Sequence, residues 1–185
     1  MSDKKPSYPR AKDFKFSVQK TRPEEKYKGP LEYYDDYQVE KYARSKSLMK
    51  IQESLTRRAL EISQLEPPAM TLDLGVGCGF STMALMLLGY RSVGVDINYA
   101  FLNYYRDLNI NPILGDMTAG MLRENAFDLV VSISAVQWLF ALNDPEKTDQ
   151  NLEKFTKLVD NVLKISGKVV IQFYPKSDEQ MHMLG

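Results

Sequence analysis

Leu72-Asp73-Leu74-Gly75-Val76-Gly77-Cys78-Gly79 decides the fold of this chain. An apolar strand, Met70–Gly75, runs into three glycines at alternate positions, and a Met- and Leu-rich helix follows from Gly79 to Leu88. Glycines in that spacing let the backbone turn tightly and approach a ligand where a side chain would collide. The next helix presents unpaired N–H groups to a negative group. Such a turn also occurs with no ligand at all, so the flanking sequence must decide.

Outward from this stretch, strands and helices alternate. Arg91–Ile97 reads as a second strand, followed by a helix over Tyr99–Leu108. Pro112–Leu114 is a short third strand and Phe127–Ser134 a fourth. A helix from Asp149 to Ile165, closed by Gly167, leads into a fifth strand, Lys168–Tyr174. Strands separated by helix-length segments give parallel βαβ units, hence a doubly wound, mainly parallel α/β fold of Rossmann-like type. Upstream, Val39, Tyr42, Leu48, Ile51, Leu55, Ala59 and Ile62 recur at helical spacing between Gln38 and Leu65. Glu66-Pro67-Pro68 ends that helix, because proline cannot continue it. Folds of this type usually add an antiparallel hairpin after the fifth strand. The sequence has no residues for it, so the C-terminal strands are expected to be missing by truncation. The third and fifth strands are then open sheet edges, which invite strand addition by a partner.

The other strand ends favour a ligand. Asp96 closes the second strand, 21 positions after Gly75, where an acid accepts hydrogen bonds from both ribose hydroxyls. The third strand ends in Gly115-Asp116-Met117, an acceptor and an apolar side chain where an adenine ring would lie. Three carboxyl-end features together specify a nucleoside site. A nicotinamide or flavin enzyme would show G-x-G-x-x-G, and a Walker-type phosphate loop would need G-K-[ST]. The sequence has instead G-x-G-x-G preceded by Asp73, which resembles the S-adenosylmethionine pattern, with the acid near the cationic methionine end.

Composition sets bounds. The 185 residues, 44% apolar and 26% charged, suit one domain. No leader peptide or membrane span is legible, so an intracellular protein is expected, cytoplasmic or, from a eukaryotic source, nuclear. One cysteine and one histidine leave no internal disulfide and no expected metal site. Residues 1–30 hold nine Lys/Arg against four Asp/Glu, a net +5, while the rest hold fifteen against twenty. That segment, with four prolines, reads as a basic flexible arm, either a simple solvated leader or a contact to phosphate. The remaining residues, 31–185, form the catalytic domain.

At the end of the fourth strand stands Ser132-Ile133-Ser134-Ala135-Val136-Gln137-Trp138. Exocyclic-amine methyltransferases place an Asn/Asp-Pro-Pro-aromatic motif here, and it is absent. Carbon-5 pyrimidine enzymes need a cysteine nucleophile here, but Cys78 lies in the glycine loop. An acceptor that is already nucleophilic, such as a ring nitrogen with a free lone pair, remains. Trp138, the only tryptophan, is either a stacking surface for a base or a core residue.

SISAVQWL at Ser132–Leu139 resembles the small-subunit ribosomal RNA guanine-N7 methyltransferases of eukaryotes. The resemblance extends through LEYYDDYQVEKYARSKSLMKIQ at Leu31–Gln52, LDLGVGCG, VGVDI, LGDM and IQFYPKSDEQ at Ile171–Gln180. It implies a class I fold with S-adenosyl-L-methionine as cofactor and ribosomal RNA as substrate, in ribosome biogenesis. Gly75, Gly77 and Gly79 would wrap the cofactor, Asp96 take the ribose and Asp116 the adenine amine, with Asp73, Ile97, Met117 and Ser132 also in the site. Tyr42 and Arg44 would close over the methionine end, and Gln137, Trp138 and Tyr174 would lie near the acceptor base. No side chain is assigned as a proton-transfer catalyst. The resemblance also implies a small zinc-binding activator subunit at the third-strand edge, and no membrane or DNA partner. The family's K-Y-x-R-N-S-R becomes Lys41-Tyr42-Ala43-Arg44-Ser45-Lys46-Ser47, losing an Asn and an Arg. A small-molecule methyltransferase and a non-catalytic, cofactor-binding assembly factor are the rival readings.

Overall fold

In the computed structural model, which describes residues 21–105, 112–120 and 122–184, five strands form one parallel sheet. They are β1 (Met70–Leu74), β2 (Arg91–Asp96), β3 (Ile113–Leu114), β4 (Phe127–Ile133) and β5 (Leu163–Gln172), in the order β3-β2-β1-β4-β5. The chain winds outward from β1 to β3, then returns to the other side of β1. That reversal opens a crevice beyond the carboxyl ends of β1 and β4, where ligands of such sheets bind. As the sequence predicts, β3 and β5 are the edges.

Side-chain alternation builds the layers. Leu129 and Val131 of β4 pack with Leu60 and Leu85 on one face of the sheet. Val130 and, from β1, Leu72 and Leu74 pack on the other face with Phe155, Leu158 and Val162. The first face is covered by α4 (Lys46–Ser63) and α5 (Phe80–Leu87), the second by α7 (Pro145–Val162).

Several boundaries differ from the sequence reading. The single helix over 38–65 is two, α3 (Asp36–Ala43) and α4. The break is chemical: Asp35 caps α3 by accepting from the Gln38 N–H at 2.8 Å, and Ser45 caps α4 by accepting from the Leu48 N–H at 3.3 Å. The helix at Tyr99 is short, α6 (Tyr99–Leu102), running into a 3-10 turn over Asn103–Tyr105. A 3-10 helix over Val136–Asn143 follows β4. Helix α7 starts at Pro145 rather than Asp149, because Asp144 caps it and proline suits its first position. It ends at Val162, and Gly167 lies inside β5 rather than closing a helix. The extra residues between Leu163 and Lys168 are accommodated as an irregularity opposite Phe127–Leu129.

Of the segment read as a flexible arm, residues 1–20 lie outside the described residues. Residues beyond them are ordered into α1 (Pro23–Lys26) and α2 (Pro30–Tyr33). Helix α1 packs on the 3-10 helix after β4. Arg22 donates from its guanidinium to the carbonyls of Tyr174 and Pro175, and Glu25 pairs with Lys176 at 2.9 Å. The short helix α8 (Asp178–His182) ends the described chain.

Candidate functional site

The carboxyl ends of β1, β2, β3 and β4 converge on a cavity of about 280 Å³. Gly75, Gly77, Asp96, Ile97, Asp116 and Met117 all line it, and Tyr42 and Trp138 contribute from α3 and the 3-10 helix. The glycine turn is built by strand pairing: the N–H groups of Gly75 and Val76 both donate to the Val95 carbonyl, at 2.8 and 3.1 Å. Each glycine answers to a different neighbour. A Cβ on Gly75 would sit 2.2 Å from the Ala135 Cβ, so only glycine lets β4's end come this close. A Cβ on Gly79 would lie 2.6 Å from the Tyr105 ring. At Gly77 (φ +55°) the nearest such atom is Tyr42 Cε1 at 4.0 Å, so this glycine opens onto free space.

Asp96 is buried and bonded into the loop: Oδ2 accepts from the Gly77 N–H at 2.7 Å and Oδ1 from the Asn98 N–H at 2.8 Å. Burial pushes its carboxyl up, against the lowering effect of those backbone N–H groups. The Ile97 N–H also acts on this carboxylate, which with about four acceptor positions keeps capacity for a further donor. Asp116 accepts from the Thr118 N–H and hydroxyl on Oδ1, both at 2.8 Å. Oδ2 takes no bond from the described residues. An aromatic cluster that the sequence reading missed in part closes the rest. Tyr34 meets Phe101 at 5.0 Å and Trp138 at 5.9 Å, and Tyr42 meets Phe101 at 5.6 Å. The Asn98 amide donates to the Tyr34 carbonyl at 2.9 Å, tying this roof to the end of β2.

Other sequence candidates stand elsewhere. Asp73 lies under the first turn of α5, accepting from the Ser81 and Thr82 hydroxyls at 2.5 and 2.8 Å. Strand alternation turns it to the face opposite Leu72 and Leu74. Ser132 is buried and donates to the Leu74 carbonyl at 2.8 Å, joining β4 to β1. Arg44 is exposed and pairs with Glu40 at 2.5 Å, outside the cavity. Gln137 and Tyr174 line a second cavity, which shares Tyr34 and Trp138 with the first. Burial pushes the Cys78 thiol up to about 12, so it stays protonated and is no nucleophile.

Residues 72–171, more than half the chain, match the methyltransferase domain family. The chain belongs to that family. S-adenosyl-L-methionine is the cofactor of this methyltransferase domain. The geometry fits it: a buried acid with spare acceptor capacity at β2, an exposed acid with one unbonded oxygen after β3, and a glycine edge open to the cavity. The chain is 38% identical over 169 residues to the 18S rRNA (guanine(1575)-N(7))-methyltransferase of Saccharomyces cerevisiae, an alignment that covers 87% of it. The chain spans 60% of that relative's length. Two solved structures share the fold. A SAM-dependent methyltransferase from Aquifex aeolicus matches with TM-score 0.59 at 19% identity, over 78% of this chain and 75% of that one. A Haloferax volcanii complex of a methyltransferase with the Trm112 methyltransferase activator matches with TM-score 0.51 at 22% identity, over 72% and 58%. Among the described residues, no helix is long and apolar enough to cross a membrane.

Asp73 gives the methyltransferase domain a pH signature. Burial, with no ion pair from the described residues, pushes its carboxyl up to about 6, although the Ser81 and Thr82 hydroxyls pull it down. The folded pKa therefore exceeds the unfolded one. The folded state holds this proton more tightly, so the stability it contributes at low pH is lost as pH rises through about 6. The full effect is on the order of 3 kcal/mol. Asp73→Asn removes the titration, so the Tm of the variant minus that of the parent is expected to grow between about pH 5 and about pH 8. The same difference at both pH values would contradict the assignment.

Proposed function

We propose that this chain is the catalytic domain of a methyltransferase acting on guanine N7 of small-subunit ribosomal RNA. The observation that carries the reading is the identity to the yeast enzyme across 87% of the chain, spanning both the cofactor cavity and the segment after β4. When bound, the cofactor supplies an electrophilic methyl group. Guanine N7 already carries a free lone pair, so no side chain must remove a proton from the methylated atom. The chain's own residues bind, orient and exclude water. Asp96 accepts from the ribose hydroxyls and Asp116 from the adenine amine, while Met117 and Ile97 cover the apolar faces. Tyr34, Tyr42, Phe101 and Trp138 form an aromatic wall that suits a cationic sulfonium. Tyr42 stands at the methionine end of that wall, whereas Arg44, which the resemblance would set against the cofactor's carboxylate, is exposed on its Glu40 pair and would have to leave it to do so. Holding donor and acceptor in line is worth roughly 7–11 kcal/mol.

A small zinc-binding activator is proposed at the β3 edge, where Ile113 and Leu114 are exposed. The Haloferax volcanii complex supports an activator of that kind only as resemblance. Action on ribosomal RNA places the protein in the nucleus or cytoplasm, and the +5 segment supplies phosphate contacts. The test compares ribosomal RNA from cells with and without the gene, cleaving at N7-methylguanine with borohydride and aniline. Loss of one small-subunit cleavage on deletion is expected. An identical pattern in both leaves the methyltransferase and removes this substrate, favouring a small molecule.

A further inference from the structure

The second cavity, about 380 Å³, is lined by Arg22, Glu24, Tyr34, Gln137, Trp138 and Tyr174. Its size lies within the range of small-molecule sites. Three aromatic side chains line it: Tyr34, Trp138, buried at 9% exposure, and Tyr174, 45% exposed. Trp138 is held by ring contacts with Tyr33 and Tyr34, each at 5.9 Å. Two acceptors stand beside the rings with capacity to spare. Gln137 donates its amide N–H to the Ser134 carbonyl at 2.7 Å, which fixes the side chain, and its Oε1 is buried with no partner. The Glu24 carboxylate is largely buried, its side chain 13% exposed, and its charged partner Arg22 stands at 3.9 Å, beyond hydrogen-bond reach. Arg22 is itself tied to the carbonyls of Tyr174 and Pro175, which fixes α1 against the end of β5.

Acceptors without donors, next to stacking surfaces, call for a flat ligand that donates along one edge. Guanine alone among the RNA bases presents two adjacent donors there, N1–H and the exocyclic N2 amine, which a carboxylate accepts together. Adenine offers an acceptor at N1, which a carboxylate repels. A buried acceptor left unpaired forfeits its solvation without a replacement bond, so the wrong base is rejected.

We infer that this second cavity is the acceptor-base subsite and that Glu24, with Gln137 beside it, determines specificity by reading the N1–H and N2 amine edge of guanine. The inference rests on the proposed guanine acceptor and adds the residue that selects it. It also gives a role to a position in the segment that the sequence reading treated as an arm.

The sole tryptophan makes the test direct, because a base stacking on Trp138 quenches its fluorescence. Guanosine, inosine and adenosine monophosphates are titrated into the complete chain loaded with S-adenosylhomocysteine. Guanosine monophosphate is expected to bind about ten- to a hundredfold tighter than inosine monophosphate, which lacks only the N2 amine, with adenosine monophosphate weakest. Glu24→Gln should bring guanosine down to the inosine level while calorimetric affinity for S-adenosylhomocysteine stays unchanged. A purely structural role for Glu24 would weaken all three nucleotides equally. Equal quenching by the three in the parent, or no quenching by any, overturns the inference. If ribosomal N7-methylguanine still depends on the gene, the proposed function survives that failure. If guanosine preference appears but the ribosomal cleavage pattern is unchanged, the subsite stands and the ribosomal substrate falls.

Discussion

Replacing Asp96 by alanine is expected to lower cofactor affinity by about a hundredfold or more, with the fold retained. The size follows from the two jobs of one carboxylate. It holds the glycine turn through the Gly77 N–H at 2.7 Å and the start of α6 through the Asn98 N–H at 2.8 Å. Its remaining acceptor capacity lies at the cavity, where the proposed function sets the ribose hydroxyls. Alanine strands two backbone donors and leaves two ligand hydroxyls without acceptors, each worth about 1–3 kcal/mol when water cannot reach them. Asp96→Asn keeps an acceptor on one side only and should fall between the two. Calorimetric titration of S-adenosylmethionine decides the matter, and an Asp96→Ala variant with parental affinity would show that the ribose lies elsewhere.

Gly75→Ala is the most damaging single methyl group the glycine turn could receive. The new Cβ would lie 2.2 Å from the Ala135 Cβ, and both atoms are fixed to backbone, so no side-chain rotation relieves the clash. The φ of +79° adds strain that L-residues avoid. Overpacking and backbone strain together are expected to cost about 2–6 kcal/mol, lowering Tm by roughly 5–20 °C in a domain of this size. Gly77→Ala is the internal control. Its φ of +55° carries some strain too, but its Cβ would meet nothing nearer than Tyr42 Cε1 at 4.0 Å, so without overpacking it should lower Tm less while narrowing the cavity. Equal loss of Tm in both variants would contradict the division of roles between the two glycines.

The sheet was legible because its strands are apolar runs, and the first three end at a glycine or an acid that marks the carboxyl ends that matter. The same logic located Gly75, Gly77, Asp96, Ile97, Asp116 and Met117 around one cavity. Three features resisted. Helix α7 begins with Pro145-Glu146-Lys147, an exposed polar turn that apolar periodicity cannot detect; the Asp144-Pro145 pair was the signal that could have found it. Asp73 neighbours the glycines in sequence, yet period-two alternation turns it away from Leu72 and Leu74 and under α5, a consequence readable from the strand pattern. The roof over the cavity was the hardest to see. Helices α1 and α2 are four residues each, too short for any periodicity, and Tyr34 and Glu24 acquire their positions only through contacts made far along the chain. Pro30 opening α2 before the aromatic pair Tyr33-Tyr34 was the available hint.

The anchoring of Arg22 also governs the order in which the protein can assemble. Its guanidinium reaches carbonyls 152 and 153 positions away, and the Glu25–Lys176 pair spans a similar separation. Contacts of that sequence distance close late, because the loop entropy of the intervening chain is lost before they form. On a translating ribosome the five strands emerge and pair in turn, but the wall of the second cavity waits for Tyr174 and Pro175 to leave the exit tunnel. The wall of the second cavity is therefore completed last, after the glycine turn, Asp96 and the end of β4 that line the first.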